Sequence, residues 1–339
     1  MQVICYYREP KPLPVGYVLK SICLFILLLL PAISFGQTCC SGGVPLSGNL
    51  GLPTAEQNSL QVSLSYDLNV LRTLKVGTEK LDERNRERVT HSVLFETGYT
   101  FTKRFSADVF ISWVRQERNI DNPGLPSQNQ SASGMGDAVL LLKYNIINKG
   151  PVVWTLGVGP KFPTGASDIT NNGILLGADL QPGSGAWDGI FWSYLVHRLE
   201  SRKSVNISLV ASGRLTGTNE NFRLNQSYRF GSEYQFIGGI SDRVVLGKLL
   251  MDPSLSIRFR KAFEDEVGIS ELPNTGGEWV FLNPAIGINI SNNLSFNFRF
   301  EVPLYANITG TQLTPTYRIN TGFYYILNRK QDMLNLELQ

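Results

Sequence analysis

From Leu294 to Leu304 every second residue is apolar: Leu294, Phe296, Phe298, Phe300, Val302 and Leu304 alternate with Ser295, Asn297, Arg299, Glu301 and Pro303. A period of two held that long marks a strand with two unlike faces. The pattern recurs along the chain. Leu60, Val62, Leu64, Tyr66 and Leu68 oppose Gln61, Ser63, Ser65 and Asp67. Phe105, Ala107, Val109, Ile111 and Trp113 oppose Ser106, Asp108 and Ser112. Ala138, Leu140, Leu142 and Tyr144 oppose Asp137, Lys143 and Asn145. Further segments around 205–214, 228–236 and 317–325 repeat it. The fold class predicted is all-β.

Short polar turns separate these segments at 102–104, 147–152, 200–204, 241–243 and 291–293, one every 41 to 52 residues. Between them fall longer connections, at roughly 73–88, 117–132, 164–185, 217–223, 263–277 and 307–312, rich in Gly, Pro, Asn, Asp or charge. Each interval holds two strands and one loop. About twelve antiparallel strands result, with short turns at one end and longer loops at the other, the arrangement of a transmembrane up-and-down β-barrel. Four prolines resist this reading. Pro160, Pro253, Pro284 and Pro303 lie inside predicted strands, and proline cannot donate to a ladder. Three of them lie about one bilayer crossing beyond a short turn and are expected at the far rim; Pro284 requires a bulge.

Which face looks inward decides the rest. A soluble barrel carries most of its Lys and Glu on the outer face. Here the polar face is mainly Ser, Asn, Gly and Gln, and 17% of the chain is charged, against ~25% for typical soluble domains. The apolar face is too bulky to fill a lumen of twelve strands. Turned outward it makes a lipid band, with Phe101, Phe105, Trp113 and Tyr325 as aromatic girdles. Ile207, Ile257, Phe296 and Phe298 are then expected to face lipid, and Asn297, Arg258 and Arg299 the lumen.

The predicted lumen-lining, selectivity-setting charges are Lys143, Arg214, Arg229, Glu233, Arg258, Arg260, Arg299, Glu301 and Arg318. Lys161, Asp67, Glu96, Asp108 and Asp137 share their parity, and Asp137 with Lys143 is the expected wall ion pair. Arg258, Arg260, Arg299 and Arg318 fall on one side of the wall. A one-sided basic strip favours anionic solutes; alternatively the charges pair across the lumen and close it.

The two ends read differently from the middle. Arg8, Lys11 and Lys20 precede an apolar run from Ile22 to Leu30 and then PAISFG. That is the pattern of a secretory signal peptide over 1–36, cleaved between Gly36 and Gln37. Residues 37–56 read as an N-terminal periplasmic or lumen-inserted arm, 57–328 as the barrel and 329–339 as a tail. The arm holds Cys39 and Cys40, weak candidates for a soft-metal site or a vicinal disulfide. No apolar run beyond the signal is long enough for a spanning helix. A net charge of +3 argues against a nucleic-acid partner.

GMGDAVLLLKY (Gly134–Tyr144), WTLGVGPKFPTGASD (Trp154–Asp168) and LQPGSGAWDGIFWSYL (Leu180–Leu195) occur in that order. Together they resemble the outer-membrane, porin-like family named for the meta-pathway of phenol degradation. The matching positions are Gly134, Gly136, Asp137, Lys143, Tyr144, Pro163, Thr164, Gly165, Pro182, Gly183, Gly185 and Asp188. The resemblance implies a twelve-strand-type channel, similar in style to long-chain fatty-acid transporters, that handles small and hydrophobic compounds. It names no substrate. Taken by themselves, the glycines read as wall-thinning or bending positions.

Catalysis finds little support. Beyond the signal the chain has two histidines, His91 and His197, and His91 and Ser92 point to opposite faces of one strand. No cofactor pattern is present. The expectation is therefore a non-enzymatic bacterial outer-membrane barrel whose partners are the lipid bilayer and a small solute. The second reading is a non-transporting barrel whose N-terminal arm meets a periplasmic partner, linked to metal handling through the cysteine pair.

Overall fold

The computed structural model describes residues 57–328 except 83, 84, 122, 123, 125, 224, 225 and 248. The signal segment, the arm with Cys39 and Cys40, and the tail lie outside the described residues. Eleven ladder elements make one antiparallel barrel: β1 Ser59–Gly77, β2 Arg86–Thr100, β3 Phe105–Ile120, β4 Ala138–Lys149, β5 Val152–Phe162, β6 Asp188–Arg198, β7 Asn206–Thr216, β8 Glu233–Ser241, β9 Leu249–Ala262, β10 Gly277–Asn289 and β11 Leu294–Asn328. Each pairs with its neighbours in sequence, and β1 against β11 closes the ring.

The last element is two crossings. A straight strand of 35 residues would run well over 100 Å at ~3.3 Å per residue. Yet the rings of Phe296 and Phe323 lie 5.4 Å apart, and those of Phe300 and Tyr317 6.3 Å apart. The first limb pairs with β10 and the second with β1. The reversal is at Gly310, whose φ of 65° lies in the left-handed region that glycine adopts without steric cost. Twelve strands therefore cross the wall.

The face question resolves as the composition argues. On β3, Phe105, Val109, Ile111 and Trp113 are 55%, 37%, 37% and 40% exposed, while Ser106, Asp108 and Ser112 are 5%, 0% and 3% exposed. Ile207, Ile257 and Phe298 also point outward, and Arg258 is buried within. Large apolar side chains on the outside of a closed barrel suit lipid, where every backbone group is already satisfied by the ladder.

Four of the sequence expectations need correction. The chain does not reverse at 241–243: Val244–Leu246 continues the β8 ladder against Leu249–Met251, and the turn comes at Gly247. Asp242 and Arg243 are engaged sideways instead, with Arg202 and Asp252. The connection at 307–312 is no loop but the tight Gly310 turn. Pro284 sits at no bulge; the register holds, but the ladder between β10 and β11 lapses from Asn283 to Pro284. Pro303 is beside a bulge, where the register against β10 shifts by one. Finally, the interior is not uniformly polar. Phe110, Val139, Leu141, Ile190 and Trp192 form one inward apolar cluster, and Ala262, Trp279, Phe281, Ala306 and Ile308 form another.

Two smaller sheets stand at the loop end. Thr218–Arg223, Gln226–Arg229, Glu266–Val267 and Ser270–Glu271 make one; Thr170–Asn171 with Ile174–Leu175 makes the other. The latter hairpin turns on Asn172 and Gly173, at φ 51° and 78°, the Asn-Gly geometry of a tight two-residue connection.

Candidate functional site

The lumen has two unlike halves. At the loop end the connection 163–187 folds inward, and residues 178–184 are buried throughout, which is unusual for a loop. Its root is a charge cluster. Lys161 on β5 donates to Asp137 (2.5 Å), to Ser184 Oγ (2.6 Å) and to the Ala186 carbonyl (3.0 Å), and lies 3.2 Å from Asp188. Asp137 also accepts from the Gly165 and Ser184 backbone N–H groups, both at 2.9 Å. Asp188 accepts from the Gly217 N–H at 3.0 Å and lies 3.9 Å from Arg214. A cation this buried is tolerable because every donor direction meets an acceptor.

The motif glycines belong to the same knot. A side chain at Gly165 would stand 2.7 Å from the Gly183 Cα, and one at Gly183 2.5 Å from the Gly165 carbonyl carbon. Only two residues without a Cβ let the two ends of the loop touch backbone to backbone. Gly134 packs against Ala166 and Pro182, Gly185 takes φ 70° beside Asn219, and the Thr164 hydroxyl accepts from the Ala138 N–H. So Gly134, Asp137, Thr164, Gly165, Gly183, Gly185 and Asp188, distant in sequence, converge at one point. The Gly136 N–H joins the β3 carbonyl of Ser112. Pro163 is half-buried beside them.

Asp137 does not pair with Lys143. Six residues along a strand are roughly 20 Å, so shared parity does not bring them together. Lys143 instead pairs with Asp108 on β3 at 2.6 Å, while Lys161 lies beside Asp137 across the β4–β5 ladder. Arg229 is also displaced from its expected place. It belongs to the small sheet at the loop end, half-exposed and paired with Glu266, because the chain has already left the barrel at Thr216.

The tip of the loop reaches the opposite flank. Asp179 meets Arg88 Nη1 of β2 at 3.1 Å and Arg118 Nη1 of β3 at 3.3 Å. Arg88, 0% exposed, also donates to Gln116 and to the Asp179 carbonyl. Gln181 braces the tip internally against Ile169 and Leu176. Neither Arg88 nor Asp179 is among the predicted site residues. Arg88 shares the inward parity of Ser92 and Glu96 and was open to discovery; Asp179, in a loop, carries no parity signal.

Neighbouring loops complete the cover. Ala178 packs with Tyr228 and Phe230, and Tyr228 donates its hydroxyl to Asp265 at 2.6 Å. Burial pushes the Asp265 carboxyl above the usual carboxylate range, against the opposing pull of that hydroxyl and the Gly231 N–H.

The turn half is different. A cavity of about 190 Å³ is lined by Asp67, Arg258, Arg299, Glu301 and Arg318, with Asn283, Asn320, Ser208 and Ser256 among its other polar groups. Arg258 bonds Glu301 at 2.5 Å and Gln235 at 3.1 Å, and its guanidinium lies over Phe281. Arg318 holds both oxygens of Asp67, at 2.8 and 2.9 Å. Toward the loop end, where Glu233 faces Arg214 across the ladder, Glu233 and Arg260 pair at 2.7 Å beside Trp279, outside this cavity. Of the four arginines of the expected strip, Arg258, Arg299 and Arg318 line the cavity, interleaved with Asp67 and Glu301, and Arg260 does not. Three arginines and two acids of the lining leave an excess of one positive charge. His91 faces outward, bonded to the Tyr66 hydroxyl, while Ser92 is buried inside, so the two form no catalytic pair.

No protein-family model and no curated protein matches the chain. Among solved structures, an outer membrane channel from Pseudomonas putida F1 is similar over 84% of this chain and 100% of its own, with 13% identity and a TM-score of 0.63. The β domain of the Bordetella autotransporter BrkA covers 80% of this chain and 100% of its own at 10% identity and TM-score 0.47. The CymD monoaromatic hydrocarbon channel covers 80% and 88% at 8% identity and TM-score 0.40. The first likeness, with the closed ring and its outward apolar face, gives this chain the fold of an outer-membrane antiparallel β-barrel.

Proposed function

We propose that the protein is an outer-membrane channel for a small polar or anionic solute, with its short turns in the periplasm and its longer loops outside. The observation that carries this reading is the charged cavity in the turn half of the lumen. Its volume of about 190 Å³ lies below the ~300 Å³ of drug-sized pockets, so the solute is small. Arginine forks recognise carboxylate and phosphate-like groups with two parallel bonds, and the excess of one positive charge in the lining supports a weak preference for anions. Tyr194, Val210, Ile237, Ile240 and Leu255 also line the cavity, an apolar share that suits the hydrophobic part of a solute of the kind the family resemblance implies. Topology follows the general rule that outer-membrane barrels keep short turns on the periplasmic side.

The filled loop half supports the second reading, a barrel that does not transport. Conductance separates the two. In planar bilayers with a salt gradient, the wild type is expected to show a weakly anion-selective reversal potential. The triple variant Arg258→Ala/Arg299→Ala/Arg318→Ala is expected to move it toward cations. An unchanged potential removes the arginines from selectivity. Protease added to intact cells checks the topology: cuts within 164–185 or 263–277 are expected, and cuts at 102–104 or 291–293 invert it.

A further inference from the structure

The loop 163–187 is fastened at two points of unlike construction. Its root is knotted to the wall that carries it: Asp137 gathers Lys161, Ser184 and the Gly165 N–H, and the Gly165 and Gly183 backbones touch. Its tip is fastened to other strands mainly through Asp179, whose carboxylate is shared between Arg88 and Arg118 and whose carbonyl also accepts from Arg88. Between root and tip the segment is braced on itself through Gln181, which bonds the Ile169 N–H and carbonyl and the Leu176 carbonyl. A Gln116 side-chain amide reaches the Gln181 carbonyl, and Leu176 and Leu180 pack on Ala132.

We infer that this loop is the gate of the channel and that Asp179, clasped by Arg88 and Arg118, is its latch. The inference rests on the channel reading and adds what opens it. A self-braced unit can swing as one body, because its internal hydrogen bonds survive the motion. The root stays, since separating Lys161 from two carboxylates leaves three buried charges unmatched. The latch is the cheaper contact to release, because once Asp179 leaves, Arg88 keeps Gln116 and the part-exposed Arg118 keeps Gln130 as acceptors. Without it two arginines face each other with no shared acid, and the closed position loses its main electrostatic hold.

Single-channel recording of the refolded full chain tests this. Four proteins are compared: wild type, Asp179→Glu, Asp179→Ala, and a variant in which 169–181 is replaced by a short Gly-Ser bridge. Heat-modifiable migration on gels establishes that each barrel is folded. The wild type and Asp179→Glu are expected to be mostly closed. Asp179→Ala is expected to raise open time about tenfold or more, the change that ~1.4 kcal/mol of lost closed-state preference produces. The bridged variant is expected to be open continuously. If the bridged variant conducts and Asp179→Ala behaves as wild type, the latch is overturned and the channel reading stands. If no folded variant conducts, both fall together.

Discussion

The loop half and the turn half of this barrel share strands, parity and charge, and differ in what surrounds the charges. At the loop end Lys161, Asp137, Asp188 and Arg214 are packed among loop backbone, each almost wholly removed from solvent. At the turn end Arg258, Arg299, Arg318, Asp67 and Glu301 border a cavity, although Asp67, Arg258 and Glu301 are as little exposed as the loop-end charges. A buried ion pair in a dry site is strongly destabilising to break, because its partner is stranded. Beside a cavity that water can occupy, the stranded partner is resolvated and the loss shrinks. Similar residues thus serve as structural fastening in one half and as an adjustable lining in the other.

The sharpest way to break this contrast is Lys161→Ala. It strands Asp137 without a cation and leaves Asp188 only the more distant Arg214, and should cost roughly 3–5 kcal/mol, read as a large drop in the urea midpoint of the folded band. A loss comparable to that of a surface pair would mean the loop end is wet. Next in size, Phe298→Arg places a cation in the lipid-facing band of the turn half and should cost about 2–4 kcal/mol near the midplane. Measured in liposomes, an unchanged stability would show that this face does not meet lipid. Gly183→Ala drives a methyl group into the Gly165 backbone and should destabilise by about 1–3 kcal/mol through overpacking; proteolytic release of 163–187 would report it.

Arg318→Ala tests the turn half directly. Asp67 is buried but keeps Asn320 as a donor and borders the cavity, so a loss below the ~3–5 kcal/mol of a dry buried pair is expected, with the larger effect in selectivity. A loss as large as that of Lys161→Ala would erase the distinction between the halves. The smallest effect concerns pH. The folded carboxyl of Asp265 lies above its ordinary range, so the folded state holds this proton more tightly than the unfolded chain. Its contribution is complete at pH below the unfolded carboxylate value and is lost as pH rises through the folded one. Hydrogen exchange of the 263–276 backbone should therefore quicken with pH beyond the intrinsic rate, and Asp265→Asn should flatten that excess.

Alternation alone determined a great deal here. Period-two segments set the strands, and too little charge on the polar face turned the apolar face outward. Local sequence also marked turns at 102–104 and 291–293, and where it misled, at 241–243, the residues were polar because they pair sideways with Arg202 and Asp252. The motif positions were legible as a set before their role was. Tertiary structure alone decided which lysine meets which aspartate, since parity says that Asp137, Lys143 and Lys161 share a face but not how far apart they lie along the barrel. It also decided that Arg229 leaves the wall, that Phe110, Trp192 and Trp279 fill part of the interior, and that Asp179 crosses to Arg88. A strand's faces follow from the geometry of a single residue pair, which the sequence carries locally. The contents of a lumen depend on twelve strands and an inward loop arriving at one place, and no local period encodes that meeting.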